Sequence, residues 1–249
     1  MKKSLTLFLA LALLTMPIPA LADNTPLPSL TISLGQAESN EEVASTLTLV
    51  ILLTILSLAP SILILATAFT RIIIVLSLLR NAIGLQQIPP NQVLIGLALF
   101  LTFFVMAPVF VEVNADAIQP YLNEEIGFEQ AIKTSLNPIR EYMRSQTRKS
   151  DLDLFIQLHG QSEVADAKQI PDYVLMPAYL ISELKTAFQM GFILFVPFLV
   201  IDMVVASILM SMGMMMLPPV MISLPFKVLL FVMVDGWSII TRSLILSFR

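Results

Sequence analysis

Apolar residues form two long blocks in this chain, and one polar stretch separates them. No charged residue lies between positions 43 and 70 or between positions 81 and 111. More than half of the charged residues fall between positions 112 and 185. After that stretch the only charged residues are Asp202, Lys227, Asp235, Arg242 and Arg249. This pattern predicts two hydrophobic regions on either side of a hydrophilic insert.

Each apolar block is long enough for two membrane spans, because a helix needs about 20 residues to cross a bilayer. We predict spans near 47–67, 93–111, 188–210 and 228–246. A pair of consecutive prolines lies between the spans of each block, Pro89-Pro90 and Pro218-Pro219. Residues 72–79 are predicted to extend the first span, which either runs long or bends at Pro60. The expected fold is an all-α integral membrane protein of about four spans, in which two hydrophobic helical hairpins flank a small helical extracytoplasmic insert.

The N-terminus is typical of a secretory signal peptide. Lys2 and Lys3 precede a short apolar run, and a small-x-small site ends at Ala22. We expect cleavage there, which removes residues 1–22 and leaves an acidic extracytoplasmic leader over 23–45. A retained first span is the alternative, but the apolar run is too short to cross a bilayer.

The charge pattern sets the remaining boundaries. A first hydrophobic hairpin is predicted over 46–111, a polar helical domain over 112–185, and a second hairpin over 186–249. With the leader outside the cytoplasm, Arg71 and Arg80 fall inside, as the positive-inside rule expects. The insert then lies outside. The position of Arg242 conflicts with this orientation. The same four spans place the C-terminus outside, where the positive-inside rule does not expect a basic residue.

The polar insert shows helical spacing. Asn137 followed by Pro138 predicts a helix start, and Tyr142 belongs to the apolar stripe that follows. Asp151 is predicted to cap a second helix carrying Phe155, or else to face solvent. The stripe fits the core of a small domain or a contact between subunits.

Composition excludes several classes of function. The 249-residue chain is 57% hydrophobic and 13% charged, with a net charge of −4 and a mean hydropathy of +0.85. A soluble domain carries about 25% charged residues, so an ordinary soluble enzyme is excluded, and net acidity argues against a nucleic-acid partner. Cys is absent and His159 is the only histidine. No nucleotide-binding or hydrolase motif occurs, so we predict no enzyme activity, no cofactor and no metal.

Methionines are concentrated between the last two predicted spans, where a polar loop would be ordinary. The cluster comprises Met210, Met212, Met214, Met215, Met216 and Met221. Methionine is flexible and polarizable, so it conforms to irregular apolar surfaces. Loops of this kind are suited to a deformable seal around a passing chain, whereas plain core packing is the alternative.

Three charges lie within the second apolar block, where charged groups pair with one another or line a water-filled route. They are Asp202, Lys227 and Asp235. Lys227 is too far from Asp235 for a direct pair on one helix, so we expect a carboxylate from another segment or subunit, with Glu183 as a candidate. Snorkelling of Lys227 to the interface is the alternative.

Several motifs together resemble the FliP family of type III export proteins. Residues 177–192 (PAYLISELKTAFQMGF), 218–227 (PPVMISLPFK) and 235–237 (DGW) resemble its C-terminal half. Residues 80–91 (RNAIGLQQIPPN) and 96–102 (GLALFLT) resemble its first hairpin. Pro138, Arg140, residues 146–148 and residues 151–152 resemble its insert.

The resemblance implies a subunit of the flagellar export gate, which forms and seals the conduit for unfolded flagellar proteins. It implies a homo-oligomer with a pentameric core that assembles with FliQ and FliR, near FlhB and FlhA, with FliO assisting assembly. It places the protein among the lipids of the bacterial inner membrane at the flagellar basal body, with residues 112–185 on the periplasmic side.

The resemblance also implies roles for individual residues. The family's methionine gasket maps onto Met214, Met215 and Met216, with Met210 and Met212 adjacent. The family's ion pair between subunits maps onto Glu183 and Lys227. Phe155 maps onto an aromatic contact of the insert, and Tyr142 stands where the family pattern has Phe.

Two other functions remain open from the sequence. Injectisome export-gate subunits share the core motifs but typically lack a signal peptide and an acidic leader, so the flagellar branch is favoured. A secondary transporter built from broken helices is the second alternative, and it predicts a polar substrate site at mid-membrane.

Overall fold

The computed structural model describes residues 40–160, 170–214 and 216–248, and every regular element in those ranges is helical. The helices are α1 (Asn40–Leu65), α2 (Phe69–Ile83), α3 (Asn91–Val113), α4 (Gln119–Leu122), α5 (Phe128–Gln146), α6 (Lys149–Leu158), α7 (Asp172–Ser211), α8 (Pro219–Met233) and α9 (Gly236–Leu246). A π-helical segment, Asn114–Ile118, joins α3 to α4. The chain divides into two compact units, Met1–Ile51 and Leu52–Arg249. The described part of the first unit is the start of α1, and all other helices belong to the second.

Helix α2 is the most buried element of the second unit. It contacts α3, α7 and α8, and it buries residues at helical spacing, Ile72, Val75, Leu76 and Leu79. The prediction that residues 72–79 extend the first span is wrong. Helix α1 continues through Pro60 and ends at Leu65, and α2 is a separate helix that begins at Phe69.

Helices α2 and α7 run in the same direction. Thr67, just before α2, meets Tyr179, and Arg71 meets Glu183 one turn further along both segments. At Gly191 the helices approach so closely that a Cβ would lie 2.2 Å from the side chain of Leu78. A larger residue at this crossing would have to displace the Leu78 side chain.

Glycine and proline set the turns that the sequence predicts. Helix α2 ends at Gly84, whose φ of 91° is left-handed, and the Leu85 N–H donates to the Arg80 carbonyl at 3.1 Å. This is a Schellman ending. Helix α3 then begins at Asn91, directly after Pro90. The Pro89-Pro90 pair thus lies in the turn between α2 and α3.

Two helical segments are long and apolar enough to cross a membrane, Asn91–Leu122 and Asp172–Ser211. Helices α8 and α9 make a third candidate if this pair, bent by 66°, is taken as one broken span. The apolar stretch Leu47–Ile62 is shorter. At 1.5 Å per residue the 40-residue α7 is about 60 Å long, roughly twice a hydrocarbon core. It runs unbroken across the boundary predicted at residue 185.

The last predicted span, 228–246, is not one straight helix. Helix α8 already begins at Pro219, and the chain breaks at Asp235, a non-glycine residue with a φ of 51°. The sequence shows little sign of this break apart from the Asp-Gly pair, a common turn signal.

The insert is helical as predicted, but its first helix starts earlier than Asn137. Helix α5 begins at Phe128 after Gly127, and Pro138 lies inside it. Pro138, Tyr142 and Met143 are buried on this helix, so tertiary packing overrides the local start signal. Helices α5 and α6 both pack against α7.

Candidate functional site

The methionine-rich turn follows directly from the end of α7. Gly213 has a φ of 75°, its N–H donates to the Met210 carbonyl at 3.1 Å, and the Met214 N–H donates to the Leu209 carbonyl at 2.9 Å. These two bonds make a Schellman ending, which glycine permits because it adopts left-handed φ without a Cβ clash. The turn therefore has a defined backbone at its start, and Pro219 begins the next helix.

The methionines of this turn are exposed. Met216 is 99% exposed, and Met210, Met212, Met214 and Met221 are also exposed. Met215, the remaining member of the predicted gasket, lies outside the described residues. The described methionines of the cluster are therefore not buried in the core of the single chain. Exposed apolar clusters of this kind are typical of interaction surfaces.

Lys227 has a carboxylate partner within its own chain. Its Nζ lies 2.6 Å from Asp202 Oδ2 on α7, and its side chain is 4% exposed. The hydroxyl of Ser223 donates to the other oxygen of Asp202, and the Ala82 carbonyl lies 3.5 Å from Nζ. The alternative that Lys227 snorkels to the interface is wrong for the single chain, because its side chain is buried. The sequence identified Asp202 and Lys227 as charges within an apolar block, but it did not predict that they pair across the α7–α8 hairpin.

Glu183 is fully buried and also has a partner within the chain. The Arg71 Nε donates to its Oε2 at 2.9 Å, and Arg71 NH2 contacts its Oε1. Both oxygens of the carboxylate are therefore occupied by one bidentate guanidinium. In the single chain Glu183 and Lys227 thus each have another partner. Their pairing between subunits remains a prediction.

Arg71 is a functional candidate that sequence reasoning missed, because it was used only to orient the first hairpin. Besides Glu183, its guanidinium donates to the carbonyl of Ser247 at 2.7 Å and to Gln146 Oε1 at 3.1 Å. It also stacks 3.9 Å above the ring centroid of Phe248. One buried cation therefore joins α2, the insert, α7 and the C-terminal segment.

Asp151 joins the insert to α7. It is 1% exposed, and it accepts hydrogen bonds from Ser182 at 2.9 Å and from Lys185. The hydrogen bond from Lys185 is the main cause that lowers its pKa, although burial opposes the shift. The expectation that Asp151 caps a helix or faces solvent is wrong, because α6 begins after Arg148 and Asp151 points into the α6–α7 contact.

The two aromatic positions of the insert differ in their surroundings. Tyr142 is buried and packs edge-on against Tyr179, with ring centroids 6.2 Å apart. Its hydroxyl has no hydrogen-bond partner among the described residues, whereas the Tyr179 hydroxyl donates to the Thr67 carbonyl at 2.8 Å. Phe155 is half-buried on α6. Their predicted roles as contacts of the insert remain predictions.

Asp235 lies apart from these pairs. It is exposed, it stands at the N-cap of α9, and its side chain makes no capping bond there. Among the described residues no group of three or more His, Asp or Glu side chains is placed to hold a metal ion. The chemistry that these residues provide is thus charge pairing and apolar contact.

Comparison with known proteins agrees with the resemblance seen in the motifs. The FliP family profile matches residues 52–244. The chain is 56% identical over 217 residues to the flagellar biosynthetic protein FliP of Bacillus subtilis, covering 87% of this chain and 98% of that protein. It is 50% identical over 240 residues to the FliP protein of Caulobacter vibrioides, covering 96% and 88% of the two chains. For the FliP protein of Pectobacterium carotovorum the identity is 56% over 198 residues, covering 80% and 77%.

Proposed function

The chain belongs to the FliP family of flagellar biosynthetic proteins, and we propose that it forms and seals the conduit of the flagellar export gate. The observation that carries this proposal is the exposed methionine-rich turn at the end of a 40-residue apolar helix. A single chain leaves these side chains uncovered, so they are available to meet the same turns of neighbouring copies. The relatives reported above are flagellar proteins, which disfavours the injectisome alternative.

The proposed seal works by apolar contact. Methionine side chains from several copies close the resting conduit, and an unfolded polypeptide displaces them without meeting a rigid surface. Each side chain then packs against the passing segment and excludes water and ions. The gate itself catalyses no reaction in this proposal, so energy for export comes from other components.

The proposed assembly is a homo-oligomer with a pentameric core, joined by FliQ and FliR, with FlhB and FlhA nearby and FliO required for assembly. Exposed apolar side chains along α3 and α7 support this proposal, since lipid or partner helices must cover them. We place the protein in the bacterial inner membrane with residues 112–185 on the periplasmic side. Four spans at insertion are proposed, with 47–67 as the first.

The seal is tested by replacing Met214, Met215 and Met216 with Ala in the full chain, expressed with its partner subunits. We expect the purified, assembled variant to conduct small ions in planar bilayers, whereas the unchanged gate stays closed. Met203→Ala and Met233→Ala are matched controls, because both side chains are exposed but lie outside the turn. Equal conductance in an assembled variant and the unchanged gate overturns the seal.

The native mass of the detergent-extracted complex separates the gate from a transporter. A single large complex of several copies, together with two small membrane partners, supports the gate. A monomer or simple dimer without partners, active in solute uptake, supports a secondary transporter instead.

A further inference from the structure

Two opposite charges in the C-terminal apolar region have no ion-pair partner among the described residues. Asp202 and Lys227 neutralise each other, which leaves Asp235 and Arg242 as the remaining described charges after α7. Neither takes part in any of the ion pairs formed by the described part of the chain, and both side chains are exposed. Within a membrane an unpaired charge is costly, and neither residue has a counter-charge in the described part of its own chain.

Asp235 lies at the bend between α8 and α9. A Cβ at Gly236 would lie 2.2 Å from the ring of Phe231, and that ring also packs edge-on against Trp237 with centroids 5.4 Å apart. A larger residue after Asp235 would have to displace the Phe231 ring beside the 66° bend. The carboxylate leaves the N-terminus of α9 uncapped and remains free for an external contact.

Arg242 lies in a groove whose walls combine apolar side chains with hydrogen-bond donors. The groove has a volume of about 580 Å³, and Phe104 and Trp237 are among its walls. Ser238 and Thr241 line it beside the guanidinium. Positions 238, 241 and 242 fall on one face of α9, so two hydroxyls and one guanidinium point to the same place. These groups all donate hydrogen bonds, which an acidic side chain accepts.

The two charges cannot satisfy each other within one copy. They are separated by two turns of helix, about 10 Å along the axis at 1.5 Å per residue. A lipid phosphate would neutralise Arg242 but would leave Asp235 unpaired. A second copy of this chain satisfies both charges, because each copy supplies one anion and one cation. Such a contact is heterologous, since different surfaces of the two copies meet.

We propose that Asp235 of one copy enters the Arg242 groove of the neighbouring copy and that this ion pair joins adjacent subunits. The inference rests on the proposed homo-oligomeric gate. It adds a contact at the α8–α9 bend that is separate from the methionine turn and from Glu183 and Lys227.

The absence of cysteine makes a direct test possible. We expect cells that express both D235C and R242C chains to form a cross-linked dimer under mild oxidation, whereas neither variant alone does so. Mixing D153C with R242C provides the control, because Asp153 is exposed on the insert. No cross-link above this control overturns the proposal.

Charge reversal tests the energetics of the same contact. We expect Asp235→Arg or Arg242→Asp to lower the amount of assembled complex at least about tenfold, and the double reversal to restore that amount. Wild-type assembly in both single variants overturns the pair. If only Arg242→Asp is defective, and if phosphatidylglycerol vesicles but not phosphatidylcholine vesicles stabilise the unchanged chain, the groove binds lipid phosphate and the pair is wrong. If the unchanged chain is monomeric, the proposed gate itself is wrong. Failure of the gate is thereby distinguished from failure of the Asp235–Arg242 pair alone.

Discussion

Arg71 and Glu183 form a bidentate ion pair in the interior of a predominantly apolar chain. Nε donates to Oε2 at 2.9 Å, and the two residues are 2% and 0% exposed. Removing two charges from water is expensive, and here the cost is offset by further hydrogen bonds from the guanidinium to Ser247 and Gln146. The pair therefore fixes the register of α2 against α7 and holds the C-terminal segment beside them.

Removing one partner of this pair is expected to destabilise the chain severely. Arg71→Met leaves a buried, unpaired carboxylate, which costs about 3–5 kcal/mol of unfolding free energy. The double variant Arg71→Met with Glu183→Met restores much of this loss, because apolar side chains replace both charges. Chemical unfolding of the chain in detergent measures both effects.

The exposed pair between Lys133 and Glu129 provides the control. Lys133→Met is expected to change the unfolding free energy by less than about 1 kcal/mol. A double variant no more stable than Arg71→Met contradicts the interpretation that unpaired charge, and not lost packing, is the main cause.

Lys227→Glu distinguishes a pair within the chain from one between chains. The substitution places a second carboxylate beside Asp202, and we expect it to lower the unfolding free energy by about 1–3 kcal/mol and to reduce assembly. Adding Asp202→Lys reverses the pair and restores stability. Adding Glu183→Lys leaves stability low, because a second cation then faces Arg71.

Assembly of these variants is read from native mass. Restored assembly with Glu183→Lys, despite low stability, supports the predicted pair between subunits. Full stability of Lys227→Glu alone contradicts the role of the Asp202 pair within the chain.

Deleting the same hydroxyl from two neighbouring tyrosines is expected to have opposite effects. Tyr142→Phe removes a buried hydroxyl that has no hydrogen-bond partner among the described residues. The free energy of unfolding is therefore expected to stay unchanged or to rise by about 1 kcal/mol. Tyr179→Phe leaves the Thr67 carbonyl without its donor at 2.8 Å and costs about 1 kcal/mol. Thermal unfolding of the two variants side by side measures the difference. Equal losses of stability show that Tyr142 has a hydrogen-bond partner in solution.

Apolar runs and turn residues predicted much of the fold, because both signals are local. The apolar run of α3 and the helix breaks at Pro89-Pro90 and Pro218-Pro219 follow from local sequence alone. Arg71 was missed because its partner Glu183 lies 112 positions away. Asp151 was predicted to cap a helix or to face solvent, because its partner Lys185 lies 34 positions later and local sequence does not indicate this contact. At the break after Asp235 the Phe231 ring packs against Gly236, a contact that helix propensity does not indicate.

The contact between the insert and α7 is expected to weaken in acid. The hydrogen bond from Lys185, aided by Ser182, lowers the pKa of Asp151 below its ordinary value near 3.9. A carboxyl whose pKa is lower in the folded state stabilises the fold above its unfolded pKa, and this contribution is lost as the pH falls through the folded pKa. The stabilisation is therefore complete above about pH 5 and declines below about pH 4.

Asp151→Asn removes this titration while keeping a side chain of similar size. We expect the variant to be less stable than the unchanged chain at pH 6, and the difference to shrink as the pH falls below about 4. Thermal melts followed by circular dichroism across this range measure the change, with Asp153→Asn as the exposed control on the same helix. A constant difference between Asp151→Asn and the unchanged chain at every pH shows that the Asp151 charge does not stabilise the contact. The network of Ser182 and Lys185 around Asp151 then serves only to pack α6 on α7.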